Sequence, residues 1–481
     1  MAFFFANIIF ILTLIIFGSY LLLGIFSALA LRKYLRKNSY INYNSLVLSP
    51  LSPRVSIIAP AFNESKNIID NVRTLLSLYY NNFEVVIVND GSTDDTFDKV
   101  KEAFNLVRVN YFFDYRIPCE RIKGVYKSKD PSFNRLTVID KNNGGKADSL
   151  NAGINISRSP LIVTIDADSI IEADSLLKLV KPFLEEKEHK VIGTGGVIRI
   201  VNSCEIEKGF IRKIHIPRKI LPRLQVLEYT RAFLLGRMAW SHLDGLMLIS
   251  GAMGMFDRET VILAGGYSIK TVGEDMELVL RMRGYMAEHK RKYEVTYIPD
   301  PLCWTEVPSD LRSMKKQRNR WTRGLIESLW THKKMFFNSK YKRLGLLGYP
   351  YWFFFEWMSP LIAFGGFVYT AYLIIAGHLN WSFFLLLFLF VYTFAILLST
   401  WAVLFEEITF HKYERKRDVF RLLAAAFVEP FFYPVHTWFA VTGNLQSIFR
   451  IKEWGSIKRK GFDKKKGKKK STPAKEVNLL F

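Results

Sequence analysis

Residues 54–91 read RVSIIAPAFNESKNIIDNVRTLLSLYYNNFEVVIVNDG. The first nine form a short apolar run of strand length, and NESKNIIDNVRTLLSLYY then carries its apolar residues at helical spacing. FEVVIVNDG is a second buried run, followed by a helical pattern in TDDTFDKVKEAF (93–104). RLTVID (135–140), KADSLNAGINIS (146–157) and PLIVTIDAD (160–168) continue the alternation. Strands alternating with helices predict an α/β domain built on a mostly parallel sheet with crossover connections. The polar segment between Asn110 and Arg135 reads as an insertion with no assignable role.

Composition splits the chain in two. It is 49% hydrophobic yet 23% charged, with a net charge of +23 over 481 residues. That pairing predicts an apolar membrane part beside a charged soluble part. A basic excess also suits a nucleic-acid binder, but the apolar segments decide for a membrane protein obeying the positive-inside rule. Residues 2–31 are almost wholly apolar, and a span needs roughly 20 such residues. The ALA at 28–30 resembles a signal cleavage site. However, no Lys or Arg precedes the run, and it exceeds a signal h-region of about 7–15 residues. Arg32, Lys33, Arg36 and Lys37 follow it, which predicts an uncleaved anchor with its N-terminus outside and the next domain in the cytosol. Cys119, Cys204 and Cys303 follow no metal-ligand spacing and read as reduced thiols.

Beyond the α/β region, residues 311–341 are basic and dotted with apolar side chains, the pattern of a helix lying at a membrane interface. Apolar segments follow near 349–377, 381–405 and 420–446, the third interrupted by Glu429, Pro430, Pro434, His436 and Asn444. Three full spans here would place the polybasic tail outside, against the positive-inside rule. The third segment is therefore expected to be re-entrant or interfacial. The resulting plan is an anchor at 1–32, a linker at 33–50, a cytosolic domain at 51–310 and an interfacial helix region at 311–346. Transmembrane or re-entrant helices at 347–446 and a cytosolic tail at 447–481 complete it.

In a parallel sheet, ligands bind at the carboxyl ends of strands. VIVNDGS brings Asn89 and Asp90 to one such end, and VTIDADS brings Asp166 and Asp168 to another. An Asp-x-Asp there suits a hard cation shared with diphosphate oxygens, although surface turns contain the same pattern. GGKADSLNAG offers two glycines that let backbone approach a phosphate and the charge of Lys146; its other reading is a turn before a helix. VGEDMEL places Glu274 and Asp275 at a helix start, either as dipole partners or with one as a general base.

The order PAFNES, VNDGS, GGKADSLNAG, DAD, SGAMGMF, GED, QRNRW resembles the membrane-embedded inverting glycosyltransferases that include cellulose, chitin, hyaluronan and poly-N-acetylglucosamine synthases. The resemblance covers residues 51 to about 324. It implies a GT-A-like α/β domain, a UDP-sugar donor, a polysaccharide acceptor, Mg²⁺ or Mn²⁺, and residence in the inner membrane among lipids. Accessory export subunits are compatible with it, and nucleic acid is not expected. By the same resemblance, Asn63, Glu64 and Asp90 contact uridine, Lys146 and Asp166 sit by the nucleotide, and Asp168 takes the metal. Asp275 is the base, and Gln317, Arg320 and Trp321 close over diphosphate and acceptor sugar. The remaining bases Lys315, Lys316, Arg318 and Arg323 are expected to face lipid headgroups. A processive synthase of poly-N-acetylglucosamine-like polymer is favoured. A non-processive transferase and a non-catalytic scaffold are its rivals.

Overall fold

The computed structural model describes residues 2–38, 49, 52–166, 169–186, 188–207, 209–413 and 415–449. Asp168, most of the linker and nearly all of the tail lie outside the described residues.

Among the described residues, twelve strands follow in chain order. They are β1 Val55–Ala61, β2 Phe83–Asn89, β3 Leu106–Val109, β4 Ile122–Ser128, β5 Leu136–Lys141 and β6 Leu161–Ile165. Then come β7 Ile170–Ile171, β8 Lys190–Ile200, β9 Glu205–Glu207, β10 Phe210–Lys213, β11 Met253–Asp257 and β12 Tyr293–Thr305. Ten form one sheet in the order β3-β4-β5-β2-β1-β6-β11-β8-β12-β7. β5, β2, β1 and β6 run parallel, and so do β8 and β12. β11 lies antiparallel between the two groups.

The parallel strands are buried along nearly their whole length, which is why they read as continuous apolar runs. The chain leaves β1 toward β2 and β5 on one side and reaches β6 on the other. Such a reversal of strand order opens a crevice at the strands' carboxyl ends. The segment read as an insertion contains β4, an antiparallel strand between β3 and β5. Its polar appearance comes from its place near the sheet edge, where only Gly124 and Val125 are fully covered.

Among the described residues, three helical stretches are long and apolar enough to cross a membrane: Phe10–Asn38, Leu344–Ile375 and Trp381–Thr409. The first belongs to the helix Ala2–Asn38, which stacks Phe17 on Phe394 and brings Gly24 against Trp401 of the third. A Cβ at Gly24 would fall 2.6 Å from the Trp401 ring, so only glycine permits this approach. The third apolar segment of the sequence is two helices, Lys416–Val428 and Tyr433–Ile448, joined by a 3-10 turn at Glu429–Phe432.

One buried ion pair ties sheet to membrane: Arg199 on β8 meets Glu406 near the end of the third stretch. Trp304, Phe410 and Tyr413 pack around the guanidinium. Removing one partner leaves the other charge buried without compensation. Arg199→Met is therefore expected to cost roughly 3–5 kcal/mol. The double change Arg199→Met with Glu406→Leu should recover most of that loss. Thermal denaturation of the purified variants checks it; equal losses in the single and double variants would refute it.

Candidate active site

The crevice at the strand ends opens into one cavity of about 2040 Å³ that continues between the membrane helices. Glu64, Asp90, Lys146, Asp166, Asp275, Gln317, Arg320 and Trp321 all line it. Six sequence-distant segments thus converge on it.

Lys146 is the first residue of the helix Lys146–Ile156. Its ammonium lies 2.6 Å from Asp166 Oδ1, 3.3 Å from Glu274 Oε1 and 3.4 Å from the Gly251 carbonyl. Burial alone would lower its pKa, but Asp166, Glu274 and Asp275 outweigh burial and hold it above the ordinary lysine value. Burial pushes the Glu274 carboxyl up; Lys146 opposes this and Asp275 adds to it. Asp275 accepts hydrogen bonds from the Gly251 and Met276 amides, both at 2.9 Å. Its half-buried carboxylate lies at the N-terminus of the helix Glu274–Glu288, directed to the cavity wall.

Asp90 lines the cavity but is already engaged. Lys141, itself fully buried, holds Oδ1 at 2.6 Å. The Gly144 and Gly145 amides donate to Oδ1 and Oδ2 at 3.0 and 2.8 Å. Those amides are therefore spent on Asp90, and the phosphate-cradle reading of the two glycines is replaced by an anchored turn. Gly145 has φ of 89°, a conformation that favours glycine, and caps the helix that begins with Lys146. Lys141 also pairs with Asp148 at 2.6 Å. No residue of this Asp90–Lys141–Asp148 array except Asp90 stood out in the sequence. The signal was there in the adjacent KNNGGKAD, where a lysine ends a buried strand.

The polar face of KADSLNAGIN binds protein rather than ligand. Asp148 takes the Glu120 amide, Asn151 pairs with Tyr267, and Asn155 holds the Ile117 backbone. This gives the segment preceding β4 a role: it is clamped onto the helix that carries Lys146.

Asn63 is the member of the predicted set that stands apart. It has φ of 57°, is exposed, and its Oδ1 accepts from the Thr93 amide at 2.8 Å. Phe62 and Glu64 on either side line the cavity instead.

QRNRW lies on the helix Leu311–Thr331. Gln317 is buried, and its Oε1 has no hydrogen-bond partner among the described residues. Arg318 and Arg323, expected at headgroups, are both buried, at 8% exposure. The helix is covered by Glu274–Glu288 on one side and by Tyr433–Ile448 on another, which leaves these positions no access to lipid. Lys316 remains exposed. Gly324 meets Gly273 backbone to backbone: a Cβ on either would lie 2.7 Å from the other's Cα. This contact sets Arg320 and Trp321 relative to Asp275.

Two family descriptions match the chain. "Glycosyl transferase family 2" covers residues 56–117, and "Glycosyl transferase family group 2" covers 161–397. Both stretches are glycosyl transferase family 2 sequence. This family 2 enzyme is 26% identical over 371 residues to a poly-beta-1,6-N-acetyl-D-glucosamine synthase of Staphylococcus epidermidis, covering 76% of this chain and 77% of that one. A synthase of the same description from Staphylococcus aureus is 26% identical over 293 residues, covering 61% of this chain and 59% of that one. In structure the chain is similar to a mannosyltransferase from Pyrobaculum calidifontis, solved in complex with GDP-Man and Mn2+. The TM-score is 0.53 at 17% identity, covering 91% of this chain and all of that one, which supports the GT-A-like fold. As a family 2 glycosyltransferase the enzyme inverts the anomeric centre of its donor.

The glycine contact yields a test. Gly324→Ala forces the two helices apart by a fraction of an ångström or more. Misplacement on that scale costs about 10²-fold in turnover. Donor KM should change little, because Lys146 and Asp166 are untouched. Wild-type kcat in this variant would rule out the contact as the device that sets the two halves.

Proposed function

We propose that this chain builds a β-linked polysaccharide from a UDP-sugar at the cytosolic face and passes it into the membrane. N-acetylglucosamine is the favoured unit, on the similarity to the staphylococcal synthases. The observation that carries the reading is the single cavity shared by Asp275, Arg320 and Trp321 with Glu356 and Glu429 of the apolar segments. Intramembrane carboxylates characteristically face such paths. Glu429 is held there by Arg231 at 2.5 and 2.6 Å and by Ser399 at 2.7 Å.

Topology fits the same reading. Two crossings after the catalytic domain, with 416–449 re-entrant so that it both enters and leaves on the cytosolic side, satisfy the positive-inside rule for the Lys-rich tail. The N-terminus then lies outside and the catalytic domain in the cytosol of an inner-membrane enzyme.

The residues perform one displacement. Asp275 accepts the proton of the acceptor hydroxyl. The hydroxyl oxygen bonds to the anomeric carbon as the bond to the UDP oxygen breaks on the opposite face. An α-linked donor thus gives a β-linked product, with UDP leaving as the anion. Arg320 meets the growing charge on the diphosphate, and the flat Trp321 ring carries the acceptor sugar. Lys146 keeps Asp166 and Glu274 oriented around the donor. Asp168, with Asp166 two residues before it lining the cavity, would hold a Mg²⁺ or Mn²⁺ ion, the usual use of one or two carboxylates beside a diphosphate. When bound, such an ion would supply further neutralisation of the leaving group.

Purified enzyme is to be incubated with a panel of UDP-sugars and Mg²⁺ or Mn²⁺, with UDP release and product size recorded. UDP-N-acetylglucosamine should release the most UDP and yield long chains. Single-sugar addition would establish the non-processive alternative, and absence of UDP release with every donor would sink the proposal. Asp275→Asn should retain donor binding and lose turnover by about 10²-fold or more. Parallel loss of UDP affinity would instead assign Asp275 to binding.

A further inference from the structure

Trp321 lines the cavity with 41% of its surface exposed, yet its ring is not loose. The Arg318 guanidinium carbon lies 4.2 Å from the indole centroid. Arg318 and Trp321 are three residues apart on one helix and so share a face. Arg318 is in turn fixed from another element: its Nη2 donates to Glu228 Oε2 at 2.7 Å. Glu228 belongs to the helix Ile220–Thr230, and Tyr229 beside it places its ring 6.4 Å from Trp321. That helix runs on through a π-helical stretch, Arg231–Arg237, whose Arg231 holds Glu429. Wide turns of this kind recur at functional sites.

Arg318 is thus a buried cation with one paired edge and one stacked face. Neither feature serves a lipid headgroup. Guanidinium is suited to this place because it is planar and weakly hydrated, whereas an ammonium supplies charge without a flat face. With one side of the indole backed by Arg318, the surface left to the cavity is an apolar plane whose tilt is set by Glu228.

We propose that Glu228 and Arg318 are positioning residues that hold the Trp321 indole as the platform for the terminal sugar of the acceptor. They thereby set acceptor affinity and product length without touching the donor. The inference rests on the polysaccharide reading above for the identity of the acceptor.

Full-length enzyme in nanodiscs is to be assayed with the UDP-sugar that releases the most UDP in the panel and a short β-linked N-acetylglucosamine oligomer as acceptor. Arg318→Lys keeps the ion pair and removes the stacked plane; Glu228→Gln and Arg318→Gln remove the pair. Each should raise acceptor KM about tenfold, the scale of a partly desolvated cation–π contact. Product should be shorter, and donor KM should stay within about twofold of wild type. Wild-type acceptor KM and product length in Arg318→Lys overturn the proposal. So does a joint rise of donor and acceptor KM, which marks general loss of the site. Should the Gln variants fail to fold, Arg318→Lys alone still decides. A wild-type enzyme that adds one sugar and stops defeats the polymer reading, while the acceptor KM comparison still judges the platform.

Discussion

A single ammonium, Lys146, faces Asp166 from the end of β6 and Glu274 from the start of a distant helix. Two carboxylates with Asp275 close by repel one another in a half-buried crevice, and burial adds to the cost of their charge. Without a cation among them they would either protonate or drive the segments apart. Lys146 therefore holds the end of β6 and the helix that carries Asp275 in one place. The backbone that presents Lys146 is secured by the same device five residues earlier, where buried Lys141 lies between Asp90 and Asp148. The catalytic face is assembled by charge pairing across segments, and the apolar sheet beneath supplies the rigid base.

This explains which parts of the site could be read from sequence. β1, β2, β5 and β6 are legible because burial on both faces makes them continuous apolar runs. The carboxylates at their ends are legible because the ends of parallel strands are where ligands lie. Side-chain partners are another matter. Asp90 reads as a ligand residue, but its lone pairs go to Lys141 and two amides, and nothing local in VNDGS distinguishes these fates. Asn63 reads the same way and turns instead to Thr93. β4 escaped notice because a half-covered strand beside an edge lacks a clean apolar alternation.

The basic helix is the sharpest case. Charge and amphipathic spacing suggested a headgroup anchor, and for exposed Lys316 nothing in the structure opposes that. Arg318 and Arg323 differ because the helix is covered on more than one side, by neighbours that lie about 40 residues before it and more than 100 after it. A periodicity argument sees one helix at a time. It cannot tell a charge facing solvent from a charge facing Glu228 on another helix.

The same helix joins the α/β domain to the helices around the cavity. On its inner side it touches Gly273, two residues from Asp275; on its outer side Gly443 lies so close that a Cβ would fall 2.8 Å from Thr322. Both close approaches use glycine: Gly273 meets the Gly324 backbone, and Gly443 meets Thr322 Cβ and the Asn319 backbone, so the spacing from Asp275 across this helix to Tyr433–Ile448 leaves little room for adjustment. If the cavity carries polymer, as proposed, its membrane half must replace water around a neutral, hydroxyl-rich chain without gripping it, since conduction requires binding that is favourable but weak. On that proposal the Arg231–Glu429–Ser399 cluster would meet that need. The pair is polar enough to exchange hydrogen bonds with sugar hydroxyls, and its charges largely cancel, so no single strong site arrests the chain.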